Sequence, residues 1–268
     1  MKTAEGIGLE DVRAVYSGPE GDLWELLMGE QIHVGGFESS MSLARKAEVG
    51  EGMWGVDLCC CTGAGMRFLI RFCNVDHMTG VDATEKVVDL GRSRSEQEGL
   101  ADRTDFVLAD VCDSELVAET FDFVWGEDAW CYVVDKEKLV AEAARMVKRG
   151  GAIAFTDWIE GQVEMSQAEA ERFMEFMHFP GILDLDAYRG LLKSNQCEVI
   201  TAEYSGRFAT HMDLYLDMLN SQLTYDALKI IGFKTKALEA MGDEMEFMQQ
   251  LAHDRKLAQG VFVARKRG

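Results

Sequence analysis

Proline is nearly absent from this chain of 268 residues: it occurs at Pro19 and Pro180 and nowhere else. Because proline locks φ and removes a backbone donor, the long span between those positions lacks the strongest local breaker of helices and central strands. Long apolar runs are also missing. None approaches the roughly 18 residues of a membrane helix. The start, Met-Lys-Thr-Ala-Glu-Gly, has no basic-then-apolar signal pattern, so a cytoplasmic protein is expected. Bases are scarce too: 27 lysines and arginines stand against 47 acids, a formal charge of −20. Such an excess repels phosphate backbones and anionic lipid, so neither nucleic acid nor a membrane is an expected partner. It suits cationic ligands, high internal salt or plain solubility. His178, His211 and His253 are scattered over helical stretches without ligand spacing. The seven cysteines form neither metal-ligand pairs nor a secreted disulfide framework, so reduced thiols are expected. Three of them, Cys59 to Cys61, are contiguous, and neighbours on an extended segment point to opposite faces and cannot converge on one ion. No metal is expected.

What is present is concentrated in residues 54–69, Trp-Gly-Val-Asp-Leu-Cys-Cys-Cys-Thr-Gly-Ala-Gly-Met-Arg-Phe-Leu. A short apolar run ends in an acid and a tight turn that opens onto a helix. That arrangement brings the chain to the carboxyl edge of a sheet, lets backbone N–H groups approach a ligand, and aims a helix N-terminus at it. A second strand, His77-Met78-Thr79-Gly80-Val81-Asp82, ends in an acid about 25 residues after Asp57, close to the spacing at which such folds set a carboxylate on ribose hydroxyls. A carboxylate there accepts two hydrogen bonds from a diol and repels a 2′-phosphate. Asp110 closes the strand Asp105–Ala109, and Phe121–Trp125 runs into Gly126-Glu127-Asp128.

Strand-like runs alternate with helical patterns at Gly65–Phe72, Glu85–Glu98 and Asp135–Val147, which implies a parallel sheet. Lys148-Arg149-Gly150-Gly151 reads as a helix stop before the strand Ala152–Phe155. After Asp157 the alternation is broken by helical stretches at Ser166–His178 and His211–Lys256, separated by a helix at Asp186–Ser194 and a strand at Cys197–Tyr204, before a final strand, Gly260–Arg265. Length and the 47% hydrophobic content fit one α/β domain with an elaborated cap. The expected division is an N-terminal helical cap at 1–45, a core at 46–160, a lid insertion at 161–185, a core helix and strand at 186–205, a second lid insertion at 206–258, and a closing strand at 259–268. Insertions at strand carboxyl ends sit over the ligand crevice, and the methionines they carry are read as adaptable lid packing.

Counted from Asp57, the alternating positions Cys59, Cys61, Gly63 and Gly65 match the Asp-x-Gly-x-Gly-x-Gly turn of class I S-adenosylmethionine-dependent methyltransferases, with cysteine at the first two glycine sites. The chain resembles that family. More narrowly it is similar to the sarcosine/dimethylglycine N-methyltransferase group, through Gly29-Glu30-Gln31-Ile32-His33-Val34-Gly35, Ala64–Leu69, Trp125–Ala129, Ile153–Asp157 and the closing strand. The resemblance implies a doubly wound, Rossmann-like α/β sheet with a helical lid, and S-adenosylmethionine as cofactor, released as S-adenosylhomocysteine. It implies that the turn around Asp57, Cys59 and Gly63 holds the methionine moiety. Asp82 with Ala83 would bind the ribose, Asp110 with Val111 the adenine, and the backbone near Glu127 the cofactor's amino group. Tyr16 and His33 would close over the sulfonium from the cap. Two departures stand out. Cys61 replaces a glycine that lets backbone approach the cofactor, and Tyr132 stands where related amine methyltransferases carry histidine.

Methyl transfer from a sulfonium is an in-line displacement for which the protein positions a lone pair and excludes water. A cationic amine must first lose a proton, and tyrosine, with a pKa near 10, is a poor base. His33 or water is therefore the expected proton acceptor, with Tyr132 orienting the substrate. Trp130, Trp158 and Tyr16 could wall the site with ring faces that attract ammonium groups by about 0.5–2 kcal/mol each, with Asp128 or Glu127 as counter-charge. Against this, His33, Trp130 and Trp158 could equally be core residues, and Asp110 a loop cap. The expected function is methyl transfer to a small-molecule nucleophile, an amine such as sarcosine or dimethylglycine. Alternatives are a carbon, oxygen or thiol of a natural-product or quinone-type metabolite, or a cofactor-binding cyclase or pseudoenzyme.

Overall fold

A computed structural model describes residues 2–4 and 6–268. The first elements are a short strand β1 (Lys2–Thr3) and helices α1 (Leu9–Ser17), α2 (Pro19–Met28) and α3 (Gly36–Ala47). Pro19 opens α2, where its missing N–H would have no helical partner anyway. The alternating core follows as β2 (Trp54–Leu58), α4 (Ala64–Phe72), β3 (His77–Asp82), α5 (Glu85–Gln97), β4 (Thr104–Leu108), β5 (Phe121–Glu127), α6 (Lys136–Met146) and β6 (Val147–Glu160). The first insertion is α7 (Gln167–Met177), entered through a Ser166–Glu169 capping box. Then come β7 (Gly181–Ile182), α8 (Leu185–Ser194, capped by Asp184) and β8 (Cys197–Tyr204). The second insertion holds α9 (Phe208–Asn220), α10 (Thr224–Ile230) and α11 (Thr235–His253), and β9 (Leu257–Lys266) closes the chain.

The seven-stranded sheet runs β4-β3-β2-β5-β6-β9-β8. The pairs among the first five are parallel, and β9 lies antiparallel to both its neighbours. Strand order reverses between β2 and β5, so their carboxyl ends diverge and leave the crevice where α/β sheets bind ligands. Buried residues alternate between the faces: Val124 and Phe155 pack toward α6 and α8, while Phe123 and Trp125 pack toward α3 and α4.

One reading from the sequence needs correcting. Helix α6 stops at Met146, but Lys148-Arg149-Gly150-Gly151 lies within β6 and is not a stop before it. Phe121 pairs with Val147 and Phe123 with Ala152, so the extra residues form a bulge, with Gly150 at φ 78°. The short β1–β7 pair, Lys2 opposite Ile182, also went unforeseen; two residues are too few to show a periodicity. A third apolar cluster joins α1, α2, α7, α9 and α11 to Tyr132, Trp158 and Phe179. The N-terminal helices and both insertions thus form one body over the carboxyl edge of the sheet.

Candidate active site

The crevice at the switch point is lined from below by Asp57, Cys59 to Thr62, Ala64 and Gly65 of the β2–α4 turn, Asp82 to Thr84 after β3, Asp110 to Cys112 after β4, and Glu127 to Ala129 after β5. The cap closes it with Leu9, Val12, Tyr16 and the segment Glu30 to His33.

The β2–α4 turn is anchored to the end of β3. Cys59 and Cys60 donate their N–H groups to the Val81 carbonyl, and Cys61 donates to Asp82 Oδ2 at 2.9 Å. Asp82 Oδ1 takes the Thr84 N–H at 2.9 Å. Asp82 therefore shapes the turn as well as facing the crevice. Burial raises its pKa, and those backbone donors oppose the rise. Cys59 and Cys61 sit at φ 65° and 48°, the left-handed region that glycine adopts without penalty. The backbone thus keeps the shape of a glycine turn with cysteines in it. Cys59, Cys60 and Cys61 all line the crevice, and the Cys60 sulfur lies where a Cβ on Gly80 would fall 2.5 Å from it.

Gly63 is a correction. It does not line the crevice but turns the chain at φ 72°, against Phe106, whose ring would lie 2.6 Å from an added Cβ. Gly65, the next alternate position, lines the crevice instead. A Cβ there would sit 3.3 Å from Glu127 Oε2 and 3.4 Å from Asp57 Oδ2, so two carboxylates converge above this residue. Burial pushes Asp57 well up, with the charges of Glu127 and Asp82 adding to it, and burial raises Glu127 as well. Two acids sharing a recess without a bound cation resist ionising together.

His33 joins this network from the cap. Ser40 Oγ donates to Glu127 Oε1 at 2.8 Å and lies 3.1 Å from His33 Nε2, which is 3.4 Å from Glu127 Oε1. Trp125 Nε1 donates to Glu127 Oε2 at 3.1 Å. With the Ser40 hydrogen directed at Glu127, His33 Nε2 is set to donate to this pair. Nδ1 is buried and has no hydrogen-bond partner. Ser40 was missed in the sequence because a serine on an amphipathic helix carries no signal of its own.

Tyr16 and Tyr132 meet edge to face, ring centroids 5.4 Å apart. Burial is the main cause that holds both phenols well above 10, so neither is a base near neutral pH. They share Ile32 and Asp128 with a smaller apolar chamber lined by Trp24, Met28, Trp158, Met177 and Phe179. Trp158 borders this chamber and not the main crevice. Trp130 borders neither: it is fully buried, stacked on Phe155 at 4.0 Å, and its ring nitrogen occupies the space that a side chain on Gly126 would need. The expectation that it walls the site fails because its 3-10 turn aims it into the core. Asp128 lines both cavities, but its carboxylate is already engaged. It accepts from Val34 N at 2.8 Å and from Gln259 Nε2 at 2.8 and 2.9 Å, tying the cap to β9. Asp110 is exposed and accepts from Cys112 N at 2.8 Å, and Val111 is buried beside it. Ala83 lines the crevice, and its carbonyl accepts from Arg13 of α1. No cluster of metal-ligating side chains occurs among the described residues, and none of their helices is long and apolar enough to cross a membrane.

Known proteins resemble this chain. A family model described as a methyltransferase domain matches residues 56–155. The sarcosine/dimethylglycine N-methyltransferase of Halorhodospira halochloris is 23% identical over 214 residues, which cover 73% of this chain and 75% of that protein. The sterol 24-C-methyltransferase of Saccharomyces cerevisiae is 25% identical over 223 residues, 75% of this chain and 57% of that one. A phosphoethanolamine N-methyltransferase from Haemonchus contortus, solved with phosphomonomethylethanolamine and S-adenosylhomocysteine, superposes with a TM-score of 0.84 at 20% identity over 96% of this chain and 59% of its own. Residues 56–155 thus carry a methyltransferase domain, set in a sheet of Rossmann-like class I topology, and S-adenosylmethionine is the cofactor of such a domain.

Proposed function

We propose that this methyltransferase transfers its methyl group to the nitrogen of a small amine presented beside Tyr16 and Tyr132, with His33 as proton acceptor. The observation that carries the reading is His33 Nδ1, a buried ring nitrogen with no partner in the protein, on a ring that lines the crevice and whose other nitrogen is directed at Ser40 and Glu127. An ammonium must lose a proton before it can attack the sulfonium, and imidazole is the side chain whose ordinary pKa suits that step. The high-lying phenols of Tyr16 and Tyr132 then orient the amine and present ring faces to the charge that develops.

Electrostatics narrows the amine. Glu30, Asp57, Asp82, Asp110, Glu127, Asp128 and Asp135 line the crevice, against one lysine, Lys138, and no arginine, and Lys138 is paired with Asp135. Sarcosine and dimethylglycine share the amine but bring a carboxylate that these acids repel. A simple alkyl or aryl amine brings no such carboxylate and suits this acidic crevice better. In the cofactor reading, Asp57 and Glu127 bracket the methionine ammonium over Gly65, Asp82 takes the ribose hydroxyls, and Asp110 and Val111 border the adenine. Helices α1, α2, α7, α9 and α11 form the lid.

The test is incubation of purified protein with labelled S-adenosylmethionine and a panel of simple amines, sarcosine, dimethylglycine, phenols, thiols and apolar alkenes. Label in simple amines is expected. His33→Ala should cut turnover at least about tenfold while S-adenosylhomocysteine affinity stays within a few-fold. Label confined to phenols, thiols or alkenes would overturn the amine assignment, and cofactor binding without product across the panel would favour a cyclase or a binding protein.

A further inference from the structure

Two buried charges outside the crevice grip the turn that carries Tyr132. Residues 130–132 form a 3-10 turn after β5. On one side Asp157 of β6, 1% exposed, accepts the Cys131 N–H at 2.9 Å and the Tyr188 hydroxyl of α8. On the other, Lys136 of α6, 5% exposed, donates to the Cys131 carbonyl at 3.0 Å and to the Val133 carbonyl. Both peptide groups of Cys131 are thus held by ionisable side chains, where neutral ones would satisfy the backbone at a smaller desolvation cost.

We propose that Asp157 and Lys136 are positioning residues that set the aim of Tyr132 at the crevice it lines. The inference takes Tyr132 as an acceptor-facing group, as in the reading above, but it concerns the turn and not turnover. Removing either charge leaves the other buried with less compensation and frees one side of Cys131. The one-residue link to Tyr132 then lets the ring swing away from its 5.4 Å contact with Tyr16.

The clamp is also sensitive to pH. Burial raises Asp157 from 3.8 to about 6, while Lys136, Tyr188 and the Cys131 N–H pull it down and Asp128 pushes it up. Burial lowers Lys136, against the pull of Asp157 and of the thiols of Cys131, Cys59 and Cys112. Protonating Asp157 therefore weakens its hold on Cys131 N and removes the counter-charge of Lys136.

Full-length protein labelled with 3-fluorotyrosine provides the test, with resonances assigned through Tyr132→Phe and Tyr188→Phe. Tyr188 touches Asp157 and reports its ionisation, Tyr132 reports the turn, and exposed Tyr225 on α10 is the control. Between about pH 5 and 8 the Tyr188 and Tyr132 signals should shift with one midpoint, near the value of Asp157. In Asp157→Asn the Tyr132 titration should vanish. In Lys136→Met the Tyr132 signal should move or broaden at neutral pH, with Tyr225 unchanged and S-adenosylhomocysteine still bound. A Tyr132 signal that stays flat while Tyr188 titrates, and is unmoved by Lys136→Met, would overturn the proposal. So would loss of S-adenosylhomocysteine binding in Lys136→Met, which would assign the residue to holding the crevice as a whole. Should Asp157→Asn fail to fold, the wild-type titration and Lys136→Met decide.

Discussion

Cys59 and Cys61 hold a left-handed backbone that costs a residue with a Cβ roughly 1–2 kcal/mol. Glycine gives back part of that gain through a looser unfolded chain, about 0.5–1 kcal/mol. Cys61→Gly should therefore stabilise the protein by up to about 1 kcal/mol, raising Tm by roughly 2–4 °C, and should tighten S-adenosylhomocysteine binding by opening the wall. Differential scanning and titration calorimetry check both, and a lower Tm would mean that the sulfur packs better than the turn is strained. Asp82→Ala should weaken cofactor binding about tenfold or more through lost charge-assisted hydrogen bonds. Because Asp82 also receives Cys61 N and Thr84 N, Asp82→Asn should recover part of the loss; unchanged calorimetric affinity in the alanine variant would remove Asp82 from the ribose site. Acids at strand ends were legible in the sequence because their place follows from strand period and chain order. Trp130 was not, since a 3-10 turn has no period that tells which of its side chains faces the core. Gly63 and Gly65 could not be ranked either, as both fit one motif and only Phe106, distant in sequence, decides which lies behind the wall.

The cap is latched to the core by ions. Arg94 of α5 reaches Glu25 at 2.6 Å, the buried Arg67 of α4 reaches Glu30 at 2.9 Å and Glu98 at 2.7 Å, and Arg13 of α1 donates to the Ala83 carbonyl at 2.9 Å. Since Glu30 lines the crevice, this latch borders the cofactor site proposed above. Partly exposed pairs weaken with salt, so the dissociation rate of S-adenosylhomocysteine should rise between low and roughly 0.5 M salt. Arg94→Gln should flatten that dependence, as followed by stopped-flow. A rate independent of salt in the wild type would mean that apolar packing, not charge, sets the opening. Apolar spacing disclosed α4 and α5 on the core side of this latch, while the cap was foreseen only as a helical stretch. The sequence did not disclose the pairing, because Arg67 to Glu30 links segments whose separation no local pattern records.

The whole molecule carries its negative charge into the site. Asp57, Asp82, Glu127 and Asp157 all have raised pKa values from burial, so at these four groups the folded protein holds more protons than the unfolded chain. Stability from these groups is complete below their ordinary carboxylate range and is lost as pH rises through the folded values, for Asp157 from 3.8 to about 6. The cofactor-free protein should accordingly lose Tm as pH rises from about 4 toward 7. The upshift in Tm on adding the cationic S-adenosylmethionine should grow over the same interval, because it binds the ionised acids. A ligand-induced shift that shrinks with pH would contradict this. The doubly wound sheet itself was readable at this scale, since five parallel strands announce themselves by alternation. One more consequence concerns the sulfurs in the cofactor's wall. S-adenosylmethionine is an alkylating agent, and Cys59, Cys61 and Cys112 border the crevice proposed to hold it. Burial is the first cause that pushes all three thiols up, Cys112 to about 12, with neighbouring acids adding to it. A protonated thiol is a weak nucleophile. The enzyme can therefore store an electrophile against its own soft atoms without self-inactivation, and its intact mass should not gain a methyl group during long storage with S-adenosylmethionine.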